Sequence, residues 1–277
     1  MTALYIILGI VAFLAALIIF LIFPAARRHP DRKILSGLYI AHRGLHDLEG
    51  AAPENSLSAY RLAVEKGFAI EIDIHITADG EIVVFHDDTP KRVCGASGKI
   101  EDMTLSELKA LRLAGTDEQI PTLRECLDTV DGKVPLLIEF KCLKNPAPLC
   151  EAANEILKDY KGKYFIQSFY PPVLAWYRKN RPDICRGQLS TVFGKDDPGF
   201  YVFLTWLFTN VIARPDFVSY DFLHKKQFFR RLCTLLGAFP VGWTFTGKEQ
   251  VESAKDSFDT YIFENFLPDR GNTDAKK

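Results

Sequence analysis

The sequence lacks an excess of charge of either sign. Its 277 residues include 34 Lys and Arg and 35 Asp and Glu, which gives a formal net charge of −1. Nucleic-acid binding usually leaves a basic surplus, so we expect no nucleic-acid partner. Short-period repeats and low-complexity tracts are also missing, while 48% of the residues are hydrophobic. This composition excludes a disordered or collagen-like chain and allows one large domain or two small ones.

A disulfide framework is not indicated either. The six cysteines are scattered, and no two of them form a Cys-x-x-Cys pair. A domain of this size does not need disulfide bonds, so we expect structural thiols. They are Cys94, Cys126, Cys142, Cys150, Cys185 and Cys233.

The longest run without charge is Leu4–Phe23, twenty residues rich in Leu, Ile, Phe and Ala. A helix of this length spans about 30 Å, the thickness of the hydrocarbon core of a bilayer. A buried core helix would carry a polar face, and a cleaved signal peptide would begin with basic residues and have a shorter apolar run. The sequence therefore favours an uncleaved transmembrane anchor.

Basic residues follow this run and none precedes it. They are Arg27, Arg28, Arg32 and Lys33. The positive-inside rule then predicts a single-pass protein of the cell membrane whose carboxyl-terminal domain lies in the cytoplasm. We expect residues 1–33 to form the anchor with its basic flank, and residues 34–277 to form the cytoplasmic domain.

The remaining chain has the length and the pattern of a TIM (β/α)8 barrel, because short apolar runs alternate with helical stretches. Asp79-Gly80 is a tight-turn signal, so Glu81–Phe85 is expected to be a hairpin partner outside the eight barrel units. The predicted strands are Leu38–Arg43, Ala69–Ile76, Glu81–Phe85, Val134–Phe140, Tyr164–Phe169, Arg186–Thr191, Phe217–Phe222, Val241–Phe245 and Thr260–Phe263. The predicted helices include Ser56–Lys66, Leu105–Ala110, Leu123–Thr129 and Pro148–Tyr160.

The almost uncharged segment Phe200–Ala213 fits a simple barrel poorly, since it concentrates five aromatic residues. Two interpretations remain open. The segment is either a barrel helix buried on all sides, or a lid or interfacial segment that contacts the bilayer.

Polar residues follow or interrupt apolar strands where the active site of a barrel lies. Glu71 and Asp73 are two residues apart on one predicted strand, so both side chains point to the same face. Glu139 at a third strand end would complete a set of oxygen ligands suited to Mg²⁺ or Ca²⁺. The alternative is that these carboxylates pair with Arg and Lys in an interior ion network.

Two histidines, His42 and His86, lie beside these carboxylates at the ends of their strands. Imidazole titrates near neutral pH, so the two side chains are candidates for an acid/base pair. His46 and His75 are rival candidates, because His75 shares a face with Asp73 and His46 lies in the loop after the first strand.

Arg43 and Lys141 add positive charge at the same strand ends. A guanidinium group matches the oxygens of a phosphate. A metal site, two histidines and two cations around one point indicate phosphoryl transfer rather than sugar or peptide chemistry.

The order and spacing of these motifs resemble the glycerophosphodiester phosphodiesterase family, and in particular a membrane-anchored bacterial type. The resemblance extends from about Ile40 to Pro268 and is thinner towards the end. Its motifs are Ala41-His42-Arg43-Gly44, Pro53-Glu54-Asn55-Ser56, Glu71-Ile72-Asp73, Thr77-Ala78-Asp79-Gly80, Val83-Val84-Phe85-His86-Asp87, Ile120-Pro121-Thr122-Leu123, Ile138-Glu139-Phe140-Lys141, Gln167-Ser168-Phe169 and Trp243-Thr244.

The resemblance implies a TIM barrel that hydrolyses glycerophosphodiesters to an alcohol and glycerol 3-phosphate with a divalent cation. It implies that His42 and His86 are the acid/base pair, and that the metal ligands are Glu71, Asp73 and Glu139. It further implies phosphate contacts from Arg43 and Lys141, a substrate contact from Trp243, and a supporting role for Glu54 and Asn55.

Two positions depart from the family pattern. Glu264-Asn265 stands where Thr-Asp is common, so no role is carried onto it, and Pro90 replaces an aliphatic residue after His86-Asp87. Two other functions remain open. One is a lysophospholipase D-type or other membrane-lipid phosphodiesterase, and the other is a non-catalytic, membrane-tethered barrel that binds a phosphate ligand or a partner protein.

Overall fold

The computed structural model describes residues 1–46, 52–142, 144–194 and 197–269. Its strands are β1 (Tyr39–Ala41), β2 (Ala69–Ile76), β3 (Ile82–Val84), β4 (Leu136–Phe140), β5 (Tyr164–Ser168), β6 (Arg186–Ser190), β7 (Phe217–Asp221), β8 (Phe239–Phe245) and β9 (Thr260–Phe263). Its α-helices are α1 (Thr2–Ile22), α2 (Arg32–Leu35), α3 (Leu57–Lys66), α4 (Lys91–Cys94), α5 (Leu105–Lys109), α6 (Leu123–Val130), α7 (Ala147–Leu157), α8 (Pro171–Asn180), α9 (Val202–Thr205), α10 (Asn210–Ala213), α11 (Phe228–Leu235) and α12 (Lys248–Ala254).

Eight of these strands close into a parallel TIM barrel. The strand order is β1-β9-β8-β7-β6-β5-β4-β2, and β1 also pairs with β2 to complete the circle. The remaining strand, β3, pairs antiparallel with the end of β2 through the turn at Asp79-Gly80. The TIM barrel and the hairpin outside it were both predicted from the sequence, and both are confirmed.

The helices begin where the sequence supplies caps. The Ser56 hydroxyl accepts the backbone N–H of Ala59 at the start of α3, and Gly67 ends that helix in the left-handed conformation. Reciprocal capping boxes start α5, at Thr104 and Glu107, and α6, at Thr122 and Glu125. These local signals set helix bounds close to those predicted from the sequence.

The interior of the barrel changes in character from one end to the other. At the amino ends of the strands, the fully buried Leu35 packs with apolar side chains from the surrounding strands, and the Thr260 hydroxyl donates to its carbonyl. Further along the same strands the buried residues become polar, among them Glu71, Glu139 and Gln167. One end is therefore sealed by a hydrophobic layer, and the chemistry is confined to the other end.

Helix α1 is long and apolar enough to cross a membrane by length and composition. Most of its side chains are exposed, but its last turn is fixed to the barrel. The Ile22 carbonyl accepts the Asn210 amide at 3.0 Å and the Cys233 thiol at 3.3 Å, and the Arg214 guanidinium donates to Phe20 and Phe23. These contacts attach α1 beside the sealed end of the barrel.

The segment between β6 and β7 is not a single buried helix, so that interpretation of Phe200–Ala213 was wrong. It contains a 3₁₀ turn at Gly199–Tyr201 and the short helices α9 and α10. Leu204 and Leu207 are buried, whereas Phe203, Trp206 and Ile212 are exposed. One side of this segment thus belongs to the core and the other faces outward.

Candidate active site

Three carboxylates meet inside the polar end of the barrel. Strand β2 carries Glu71 and Asp73 on its inner face, and the parallel register places Asp73 beside Glu139 of β4. One oxygen from each of the three lies within 4.8 Å of the others, and all three side chains are buried. The geometry brings together the three residues expected to bind a metal.

Two cations share this space. The Lys141 ammonium lies 2.6 Å from Oε1 of Glu139 and 3.0 Å from Oδ1 of Asp73. The Arg43 guanidinium lies 3.7 Å from Oδ2 of Asp73 but donates to Glu54 at 2.9 Å. The interior ion network considered from the sequence is therefore present in part. It is incomplete, because three carboxylates face two cations and one of these also serves Glu54.

The pKa values of the carboxyl groups record this imbalance. Burial, together with the neighbouring Asp73 and Glu139, raises the pKa of Glu71 well above its usual range. Burial also raises the pKa of Glu139, against the opposing charge of Lys141. At Asp73 burial is outweighed by Lys141, His86 and Arg43, so its pKa is lowered. Glu71 and Glu139 therefore hold protons more readily than ordinary carboxyl groups do. A divalent cation that bound to these buried oxygens would displace the protons.

The turn after β1 delivers His42 and Arg43 to this cluster. Arg43 has φ of 55°, and its backbone N–H donates to Oε2 of Glu71 at 3.1 Å. Gly44 follows at φ of 84°, where a β-carbon would approach the Ala59 β-carbon to 2.9 Å. A side chain at position 44 would therefore push this turn away from helix α3.

Glu54 and Asn55 support the cluster from the loop before α3, as expected from the sequence. The Asn55 amide donates to Oδ2 of Asp73 at 2.9 Å, and the Asn55 carbonyl oxygen accepts the hydroxyl of the buried Tyr60 at 2.9 Å. This chain of hydrogen bonds fixes one oxygen of Asp73, and Glu54 fixes the guanidinium of Arg43.

His42 has a partner to which the sequence assigned no role. Its Nδ1 lies 2.6 Å from Oε2 of Glu264, just past the end of β9. Burial lowers the pKa of His42, while the hydrogen bond to Glu264 opposes this shift. Because Nδ1 is engaged by Glu264, Nε2 is the nitrogen positioned to exchange a proton with a bound molecule. The only signal in the sequence was that an acidic residue follows an apolar strand.

His86 is held in a similar way on the opposite side. Its Nδ1 lies 2.7 Å from Oδ1 of Asp87, and burial lowers the pKa of His86. Arg92, which sequence reasoning missed, donates to both Asp87 and Glu54 and holds the pKa of Asp87 at about 2. Pro90 is the N-cap of the short helix α4, which carries Arg92. The unusual proline therefore helps to place the side chain that binds Asp87 and Glu54.

Two further polar groups point into the same end of the barrel. The Trp243 indole N–H and the Gln167 amide oxygen are buried and have no hydrogen-bond partner among the described residues. Gln167 lies beside Glu139 in the sheet register, and the Trp243 ring meets Phe169 edge-on at 5.8 Å. Unsatisfied buried groups next to a carboxylate cluster are typical of a site that receives a polar ligand.

The rival histidines lie next to the site. His75 is buried, and its Nε2 lies 3.4 Å from the His86 carbonyl. His46 lies 4.0 Å from Oε2 of Glu264, on the far side of the His42 contact. His75 thus contacts the backbone of His86, and His46 lies near the carboxylate that holds His42.

A parallel barrel whose strand ends combine three buried carboxylates, two histidines and two cations defines the class, a TIM-barrel enzyme with its polar site at the carboxyl ends of the strands. The model of the glycerophosphoryl diester phosphodiesterase family matches residues 42–210, more than half of the chain. The chain belongs to this family.

Relatives and solved structures agree with this assignment. Glycerophosphodiester phosphodiesterase 1 of Rattus norvegicus is 30% identical over 274 residues, covering 83% of this chain and 78% of the relative. YhdW of Bacillus subtilis is 36% identical over 154 residues, covering 52% of this chain and 62% of its own length. The fold matches an Oleispira antarctica phosphodiesterase in complex with the product sn-glycerol-3-phosphate, with a TM-score of 0.69 and 24% identity over 84% of this chain and 94% of that chain.

The contact between Glu264 and His42 leads to a prediction about pH. Replacing Glu264 with Gln removes the negative charge that favours the imidazolium, so the pKa of His42 should fall further. We expect kcat/KM to drop by about 10- to 100-fold and the limb of the pH–rate profile that reports His42 to move to lower pH. Glu252→Gln on the exposed side of α12 is the matched control. An unchanged pH profile in Glu264→Gln would show that Glu264 does not position His42.

Proposed function

We propose that this chain hydrolyses glycerophosphodiesters to an alcohol and glycerol 3-phosphate. The observation that carries the proposal is the buried cluster of Glu71, Asp73 and Glu139, which His42 and His86 flank. A non-catalytic phosphate-binding barrel would need neither two oriented imidazoles nor three buried carboxylates, which are costly without a cation.

Glu71, Asp73 and Glu139 would hold one divalent cation, either Mg²⁺ or Ca²⁺. When bound, the cation neutralises negative charge on the phosphate oxygens. The guanidinium of Arg43 and the ammonium of Lys141 bind and orient the phosphate from two sides. The Trp243 indole N–H, which is buried at the same strand ends, contacts the glycerol or the alcohol part of the substrate.

His42 and His86 divide the proton transfers. Burial lowers the pKa of both rings, so the ring that acts as the base is neutral and accepts a proton at Nε2. It takes this proton from the attacking hydroxyl, which belongs to water or to the glycerol of the substrate; in the second case a cyclic phosphate forms first and water then opens it. The other ring enters as the imidazolium, which the carboxylate at its Nδ1 stabilises, and gives its Nε2 proton to the departing alkoxide. Glu264 and Asp87 hold the Nδ1 side of each ring, which directs these transfers to Nε2.

Release of glycerol 3-phosphate by the full chain in detergent tests this proposal. We expect release from glycerophosphocholine and glycerophosphoethanolamine that stops with EDTA and returns with added Mg²⁺ or Ca²⁺, because the carboxylate cluster is left unneutralised without an ion. A folded chain that releases nothing with either ion would favour the ligand-binding barrel instead.

The matched controls for this assay are His42→Ala and His86→Ala. Each should lower turnover by about 10²- to 10⁴-fold, the usual contribution of general acid/base catalysis, while circular dichroism stays unchanged. Near-normal turnover in both variants would contradict the role assigned to the histidines.

A specific cavity favours a second candidate, a phosphodiesterase that acts on lysolipids. A cavity of about 300 Å³ extends from Glu139 and Lys141 and is lined largely by apolar side chains. Phe193, Tyr201 and Leu204 form the wall on the side of the segment between β6 and β7. An apolar cavity beside the phosphate site suits an alkyl or acyl chain on the substrate.

Filling this cavity should separate the two substrate classes. We expect Leu204→Trp to lower kcat/KM for lysophosphatidylcholine several-fold and to leave glycerophosphocholine unaffected, because only the lysolipid needs the apolar space. Leu204→Ala, which enlarges the same cavity, is the matched control and should retain activity towards lysolipid. Equal losses for both substrates would show that the cavity does not receive the chain.

We further propose that residues 1–33 anchor the protein in the cell membrane and that residues 34–277 form a cytoplasmic catalytic domain, of which residues 47–51, 143, 195–196 and 270–277 lie outside the described part. The flanking Arg27 and Arg28 are exposed, as expected for residues at a cytoplasmic membrane surface. Helix α2 spans position 33 and delivers Leu35 to the barrel, so the basic flank and the barrel are directly joined.

Labelling of intact cells tests the orientation. We expect Glu65→Cys, on the exposed side of α3, to react with a membrane-impermeant maleimide only after the cells are opened. The parent chain with its native cysteines is the control. Labelling of Glu65→Cys on intact cells would place the barrel outside.

A further inference from the structure

Helices α10 and α11 and the segment that precedes α10 expose a continuous apolar surface beside the anchor. Its outward side chains are Phe203, Trp206, Ile212, Phe228 and Leu235, and we call this set the apolar face. Phe228 and Leu235 are 67% and 84% exposed and lie seven residues apart, on one side of α11.

Ring contacts join the two halves of the apolar face. Trp206 packs against Phe229 with centroids 6.0 Å apart, and Phe228 packs edge-on against Phe229 at 5.2 Å. Phe208 links the same group to Phe203 at 6.4 Å and to Phe229 at 5.1 Å. The exposed aromatic side chains therefore form one contiguous patch. An ordinary protein surface exposes its apolar residues singly.

This patch is continuous with the end of the anchor. The carbonyl of Ile22 accepts hydrogen bonds from Asn210 of α10 and from Cys233 of α11, the same two helices that carry the patch. Leu235 is two residues beyond Cys233, and the guanidinium of Arg28 lies against Gly237. The end of α1 therefore packs directly against the two helices that carry the patch.

The two chain segments that carry the patch contain no acidic residue. Residues 222–247 contain no Asp or Glu, and Phe228 lies between the exposed Lys226, just before α11, and the exposed Arg231 of α11. Residues 198–213 carry no charge at all. Apolar and aromatic side chains bordered by cations are typical of surfaces that lie in the headgroup region of an anionic bilayer.

We propose that the apolar face lies on an anionic lipid bilayer, so that the barrel rests with its α10–α11 side in the membrane interface. Helix α11 has eight residues and is about 12 Å long, so Phe228 and Leu235 place apolar contacts at both ends of its exposed side. The helix runs from the mouth of the barrel to its sealed end, so both ends of that side contact the surface. This docking uses the anchor of the proposed function but does not depend on hydrolysis.

Lipid contact can be measured on the full chain in nanodiscs of phosphatidylcholine and phosphatidylglycerol, with one copy per disc. A nitrobenzoxadiazole label is attached at Leu235→Cys in a background in which the half-buried Cys94 and Cys142 are serine. The matched control carries the same label at Glu65→Cys on α3, which lies between β1 and β2 and is separated from α11 by the strands β8, β9 and β1. The background protein alone checks that the four buried cysteines take up no label.

We expect doxyl-labelled lipids to quench the label at position 235 several-fold more than the label at position 65. The double variant Lys226→Glu/Arg231→Glu should remove most of this difference, because repulsion from anionic lipid replaces attraction. Equal quenching at both positions, or none, would overturn the proposal. A difference that appears only in discs holding two copies would also overturn it, and would show that the apolar face binds a second chain.

A second measurement uses tryptophan emission without the label. It tests whether the label itself inserts into the bilayer. The chain has three tryptophans, so Trp176→Phe/Trp243→Phe leaves Trp206 as the single fluorophore. Brominated lipids in the same discs should quench Trp206 strongly. Emission from Trp206 that is unaffected by brominated lipid would exclude the docked arrangement even if the label at position 235 is quenched.

Discussion

The electrostatic repulsion among Glu71, Asp73 and Glu139 is the constraint on which the site depends. Three carboxylates with oxygens within 4.8 Å of one another cannot all be ionised in a buried site without compensation. Lys141, Arg43 and the amide of Asn55 provide part of it, and Arg43 and Asn55 are themselves held by Glu54 and Tyr60. Much of the loop structure around the barrel mouth therefore positions groups that compensate charges on two adjacent strands. It includes the turn at Arg43 and the ion pairs of Arg92.

The parts of the site that follow from strand periodicity were predictable. Glu71 and Asp73 share a face because strand side chains alternate, and parallel strands bring their carboxyl ends together, so His42 and Glu139 had to lie near them. The nine predicted strands were found, and the bounds of β2 and β9 were exact to the residue.

Glu264 and Arg92 were not predictable in the same way. Glu264 meets His42 across 222 positions of sequence, a contact that exists only after β9 closes the barrel against β1. Arg92 depends on the direction of a four-residue helix, which local propensity barely specifies. The sequence left two interpretations of Phe200–Ala213 open for a similar reason, since an aromatic segment shows no periodicity that separates its buried and outward residues. Tertiary packing determines which residues of this segment are buried.

Leu35 and the apolar layer around it close the barrel at the amino ends of its strands. Substrate and products must then enter and leave at the carboxyl ends of the strands, because the described residues close the other end. Entry and exit therefore compete, and a product that stays beside the carboxylates excludes the next molecule. Turnover in a barrel closed in this way depends on the rate of product release as well as on the chemical step.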